Sequence, residues 1–143
     1  MRDTAGLTDR DNKDSFSGFC VLLVEDVEIN REIVISLLES TALEIECAEN
    51  GLEAFNMFSE NPDRYDMILM DVQMPELDGY KATRLIRALC TAEAVTIPIV
   101  AMTANVFRED INKCIDAGMD DHIGKPLDVE ELFRTLRKYL IST

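Results

Sequence analysis

The chain has 143 residues, 47% hydrophobic and 29% charged, a size and composition that suit one domain with a core needing no disulfide or metal staples. Its 14 basic and 28 acidic residues give a formal net charge of −14; this argues against non-specific DNA binding and against docking on an anionic membrane surface, both of which draw on basic contacts. The four cysteines, Cys20, Cys47, Cys90 and Cys114, form no C-x-x-C pair, so reduced structural thiols in a cytoplasmic setting are expected rather than zinc. No apolar run is long enough to span a bilayer and no signal-peptide core opens the chain.

Residues 1–18, MRDTAGLTDRDNKDSFSG, are polar and aperiodic, which predicts a flexible tail or a linker from a preceding domain, with the folded domain over 19–143. Regular patterning begins at residue 19. The run FCVLLVE (19–25) reads as a strand buried on both faces. Over 28–40, Ile29, Ile33, Leu37 and Leu38 recur at helical spacing with charges between them. The alternating LEIECAE (43–49) predicts a strand. Asn50 with Glu53 three residues on then marks a helix start, and Pro62 follows its end near Glu60. DMILMD (66–71) is the third strand. QMPELDG is a loop punctuated by Pro75 and Gly79, and YKATRLIRALC (80–90) is an amphipathic helix. IPIVAMTA (97–104) is the fourth strand, Arg108–Ala117 a helix closed by Gly118, and DHIG (Asp121–Gly124) a short fifth strand. Asp128, with Glu131 three on, caps a last helix that runs to about Leu140.

Five alternations of strand and helix predict an α/β fold with a parallel sheet covered on both faces. Sites in such folds lie at the carboxyl ends of the strands, near the switch in strand order. There the first strand delivers Glu25 and Asp26, the third Asp71, the fourth Thr103, and the fifth runs into Lys125. Three carboxylates gathered at one edge repel one another, since two unit charges about 4 Å apart interact by roughly 4 kcal/mol at an effective dielectric of 20. A hard divalent cation relieves that repulsion. Mg²⁺, with Mn²⁺ as its alternative, suits carboxylate oxygens, and soft metals would want Cys or His. A carboxylate beside such a cation can attack phosphorus, while Lys125 and the Thr103 hydroxyl hold phosphoryl oxygens. Each residue alone has an ordinary explanation in solubility or capping. Their occurrence in order on four strands carries the signal.

The stretches VLLVEDVEINREI (21–33), MILMDVQMPELDGYKATRLIR (67–87), IPIVAMTAN (97–105) and AGMDDHIGKPL (117–127) resemble the receiver domain of two-component response regulators, most of all the receiver module of hybrid sensor histidine kinases. The resemblance implies a doubly wound five-stranded sheet of order 2-1-3-4-5. It makes Asp71 the phosphoacceptor, and Glu25, Asp26, Asp71 and the backbone carbonyl of Gln73 the Mg²⁺ ligands. It makes Thr103 the switch hydroxyl, Lys125 the phosphate-pairing lysine, and the Lys125–Pro126 bond cis. Gln73 and Asn105 would tune the lifetime of the acyl phosphate. The aromatic switch position, usually Tyr or Phe, holds His122, which could move inward with Thr103 and bring pH sensitivity.

A kinase dimerisation helix or a histidine phosphotransfer protein would be the phosphodonor, with a homodimer through the 108–140 face as a further expectation. No nucleic acid or direct membrane contact is expected, beyond tethering through a parent sensor kinase. The isolated domain would not be an enzyme, whereas such a parent would be a histidine kinase. Three other readings compete. A flavodoxin-like carrier needs a Gly- and Ser/Thr-rich phosphate loop where Glu25–Asp26–Val27–Glu28 stand. A haloacid-dehalogenase-type phosphatase needs an aspartate where Gln73 stands. A phosphorylation-independent receiver would serve only as an interaction module.

Overall fold

The computed structural model describes residues 15–74, 77–104 and 108–141. In chain order the elements are β1 (Cys20–Val24), α1 (Glu28–Leu38) with a 3-10 turn at Glu39–Thr41, β2 (Glu44–Ala48), α2 (Gly51–Glu60), β3 (Met67–Asp71), α3 (Gly79–Arg87), a short helix at Ala92–Thr96, β4 (Ile99–Thr103), α4 (Arg108–Ala117), β5 (Asp121–Gly124) and α5 (Val129–Leu140). The strands form one parallel sheet of order β2-β1-β3-β4-β5.

Strands β1, β3 and β4 are buried along their whole length, which is why they read as unbroken apolar runs. Alternate residues feed two layers. Leu22, Ile68 and Ala101 face Phe58, Ile86 and Cys114 of α2, α3 and α4. Leu23, Leu69 and Val100 face Val34, Leu38, Leu132 and Leu136 of α1 and α5. Helix ends follow the expected chemistry. Asn50 Oδ1 accepts from Glu53 N at 2.8 Å while Glu53 Oε1 accepts from Glu49 N at 3.0 Å, and Asp128 accepts from the N–H groups of Glu130 and Glu131. Gly118 closes α4 at φ +106°, with Met119 N donating to Cys114 O.

Four features differ from the expectation. Phe16, inside the expected tail, is fully buried in the α1/α5 layer, and its N–H donates to Thr41 O at 2.7 Å; packing therefore begins before residue 19. In α1 the buried residues are Val34 and Leu38, whereas Ile29 and Ile33 are 60% and 46% exposed. Gly79 is the first residue of α3 and not loop, with Asp78 as its cap. The short helix Ala92–Thr96, capped by Thr91, was not expected.

Candidate functional site

In a parallel sheet every strand points its carboxyl end to one edge, and the order places β1 and β3 side by side where the chain reverses its direction of travel. Glu25 and Asp26 follow β1, and Asp71 is the last residue of β3. Oxygens of the three carboxylates lie within 4.8 Å of one another. Glu25 and Asp71 are each 2% exposed; Asp26 is half-buried. Lys125, just past β5, reaches between them: its Nζ lies 3.0 Å from Glu25 Oε1 and 3.2 Å from Asp71 Oδ2. Its backbone N–H donates to Thr103 O at 2.8 Å. The Lys125–Pro126 peptide is cis.

Asp71, Glu25 and Lys125 act on one another's charge. Burial, reinforced by the Glu25 charge, pushes the Asp71 carboxyl up to about 6, against the pull of the Gln73 N–H and Lys125. Burial also pushes the Glu25 carboxyl up, but its hydrogen bonds from Lys125 and the Val27 N–H outweigh this and hold it below the usual range. Burial opposes the Lys125 charge, yet the two carboxylates keep its pKa above the ordinary lysine value. The ammonium thus offsets only part of the negative charge. The donors are oxygens without thiol or imidazole, a set that fits a hard divalent cation.

Close packing behind Asp71 fixes its backbone. A Cβ on Gly79 would strike Asp71 O and stand 2.9 Å from Val72 Cα, and Val72 N donates to Met102 O. Sequence reasoning treated Gly79 only as punctuation; its contact partners, Met70, Asp71 and Val72, lie across the loop that follows β3, and no periodicity links them to it. Gln73 donates its backbone N–H to Asp71 Oδ1 at 3.0 Å. Arg31, in the first turn of α1, donates from Nη1 to Glu25 O at 2.9 Å; it too went unremarked. A cavity of about 250 Å³ opens over the Glu25–Lys125 pair, walled by Ile33, Met102, Pro126 and Leu127.

Of the expected site residues, Glu25, Asp26, Asp71 and Lys125 converge. Thr103 is buried at the end of β4, next to the strand that carries Asp71. His122 lies within β5, paired in register with Ala101, its ring a third exposed and its Nδ1 4.0 Å from Asp121 Oδ1. Asn105 lies outside the described residues. A second cluster, Cys20 with Glu44 and Glu46, sits at the opposite end of the sheet. There Arg64 already bridges both glutamates, and burial, with Glu44 adding to it, pushes the Cys20 thiol up to about 11.

Fold and site together define a doubly wound domain with an acidic, lysine-bearing pocket at the switch in strand order. The family model for the response regulator receiver domain matches residues 21–137, and the chain belongs to that family. The hybrid signal transduction histidine kinase L of Dictyostelium discoideum is 39% identical over 123 residues, covering 83% of this chain and 7% of that protein. The sensor histidine kinase RcsC of Salmonella typhi is 36% identical over 126 residues, 88% of this chain and 13% of that protein. The chain thus spans a small fraction of the length of these curated relatives.

Among solved structures, the receiver domain of sensor histidine kinase PA1611 from Pseudomonas aeruginosa PAO1, with magnesium coordinated in its active site cleft, matches at TM-score 0.77 and 39% identity, covering 88% of this chain and all of that one. The receiver domain in the complex of Saccharomyces cerevisiae Ypd1, a histidine phosphotransfer protein, with the response regulator Ssk1 matches at 0.79 and 30% identity, covering 87% of this chain and 90% of the other. This chain is a receiver domain of the two-component phosphorelay type.

Proposed function

We propose that Asp71 accepts a phosphoryl group from a phosphohistidine on a kinase or a histidine phosphotransfer protein, at a site formed with Mg²⁺. The observation that carries this reading is the meeting of three carboxylates and one ammonium, from three strand ends, around a mostly buried point. Glu25, Asp26, Asp71 and the Gln73 carbonyl would hold the ion. When bound, Mg²⁺ supplies positive charge that relieves carboxylate repulsion and favours a negatively charged phosphoryl group. Mn²⁺ offers the same charge and oxygen preference.

The chain's own residues do the rest. Asp71 is largely ionised at neutral pH and presents a carboxylate oxygen as nucleophile. An O–P bond forms at Asp71 as the N–P bond to the donor imidazole breaks; the imidazole leaves and takes its proton from solvent. Lys125, held by Asp71 and Glu25, turns one of its N–H groups to a phosphoryl oxygen. Thr103 offers its hydroxyl from the adjacent strand. Water later cleaves the acyl phosphate, with Gln73 and Asn105 setting the lifetime. The charge-assisted bonds to Thr103 and Lys125 bias a second conformation, expressed through α4, β5 and α5 with His122 as the aromatic switch. That face is also where a second copy would dock. The domain then works as the receiver module of a hybrid histidine kinase on the cytoplasmic side.

Acetyl phosphate with Mg²⁺, followed by intact-mass spectrometry, tests the central step. The expected result is one phosphoryl adduct, abolished by EDTA and by Asp71→Asn. Absence of any adduct in the wild-type chain, with binding of a phosphotransfer protein retained, would favour a phosphorylation-independent interaction module.

A further inference from the structure

We infer that Arg31 is a positioning residue for the cation site, acting on the peptide that joins Glu25 to Asp26. The inference rests on the acceptor reading above. Among the described residues the Asp26 carboxylate has no hydrogen-bond partner, so its direction is set by its backbone. Every polar group of Glu25, by contrast, is engaged. Its N–H donates to Ala48 O at 3.0 Å, and its carboxylate accepts from Lys125 Nζ and the Val27 N–H. Its carbonyl, which belongs to the peptide leading into Asp26, accepts from Arg31 Nη1 at 2.9 Å.

Arg31 can do this because α1 starts abruptly. Val27 stands at the cap position and has no side-chain cap bond, while Asn30 and Arg31 both donate their backbone N–H to Val27 O at 3.1 Å. The guanidinium folds back over that turn and clasps the carbonyl preceding it. Rotation of the 25–26 peptide would swing the Cα–Cβ bond of Asp26 away from Asp71. Arg31 resists that rotation, so the Asp26 carboxylate stays aimed at the other two.

Charge and positioning predict opposite signs. As a bare positive charge near the site, Arg31 repels an incoming cation, and its removal tightens Mg²⁺ binding. As a clasp on the ligand-bearing turn, its removal weakens binding, as loss of outer supports does at metal sites.

The test is a titration of the full chain with MgCl₂ at fixed ionic strength, read from the backbone amide shifts of Asp26 and Val27 by ¹⁵N NMR. Arg31→Met is expected to raise the half-saturating Mg²⁺ concentration roughly three- to tenfold. Arg31→Lys, which keeps the charge and one donor, is expected to raise it about twofold. An unchanged or lowered half-saturation in Arg31→Met overturns the inference. Should that variant not fold, an unraised value in Arg31→Lys does the same. A wild-type chain with no Mg²⁺ response overturns the acceptor reading and this inference together; a wild-type response with unaltered variants overturns the inference alone.

Discussion

At the scale of single residues, Asp71 is held in a state that costs stability. Its carboxyl titrates near 6 in the folded chain against an ordinary 3.8, so the folded protein keeps a proton that the unfolded chain has released. The stabilising contribution is therefore complete below about pH 4 and is lost as pH rises through 6. In EDTA at pH 7, Asp71→Asn is expected to raise the unfolding free energy by on the order of 2 kcal/mol, and the gain should vanish at pH 4. Urea midpoints across that range measure it; a gain that persists at pH 4 would point to packing instead. Lys125→Met acts oppositely: it leaves two buried carboxylates unpaired and is expected to cost about 3–5 kcal/mol at pH 7.

Glu25, Asp26, Asp71 and Lys125 were legible as a set, because each stands at or just past the end of a strand whose apolar run marks it. Gly79 and Arg31 were not. Both act through backbone atoms of residues elsewhere, and neither a missing Cβ nor a basic side chain in a helix announces which carbonyl it will meet.

Elements show the same division. Runs such as MILMD and capping pairs such as Asn50/Glu53 and Asp128/Glu131 mark their structures in the sequence, since the cause lies within a few residues. The five-residue helix at Ala92–Thr96 is too short for a period. In α1 the stripe of Ile29, Ile33, Leu37 and Leu38 was misplaced as well as too deep: which residues reach the sheet depends on where the helix lies over the strands, and here Leu38 does together with Val34, which lay outside the stripe. The first turn of α3 is fixed by contact with β3, so Gly79→Ala is expected to cost about 1–3 kcal/mol in urea unfolding and to shift the Gln73 amide resonance. Arg87, at the end of the same helix, donates to Gly118 O, Ala94 O, Ile97 O and the Asp120 carboxylate at 2.8–2.9 Å. Arg87→Met is expected to cost about 2–4 kcal/mol and to speed hydrogen exchange at Ile99, whose N–H also bonds to Asp120; slow exchange retained there would show the other contacts suffice.

For the whole molecule, the two apolar layers hold a sheet whose charged edge repels itself. Ligand that binds only the folded state raises stability by mass action. At a hundredfold excess over its dissociation constant, Mg²⁺ is expected to add about 2.7 kcal/mol, seen as a rise in melting temperature that Asp71→Asn abolishes. Sodium chloride at equal ionic strength separates site binding from general screening.

Lys125 bonds through its side chain to carboxylates following β1 and ending β3, and through its main chain to the last residue of β4, while its own position closes β5. A single amino acid therefore ties four strands at one rim. Any event that draws its ammonium toward new negative charge tugs directly on the chain at the outer margin of the sheet, two strands from Asp71.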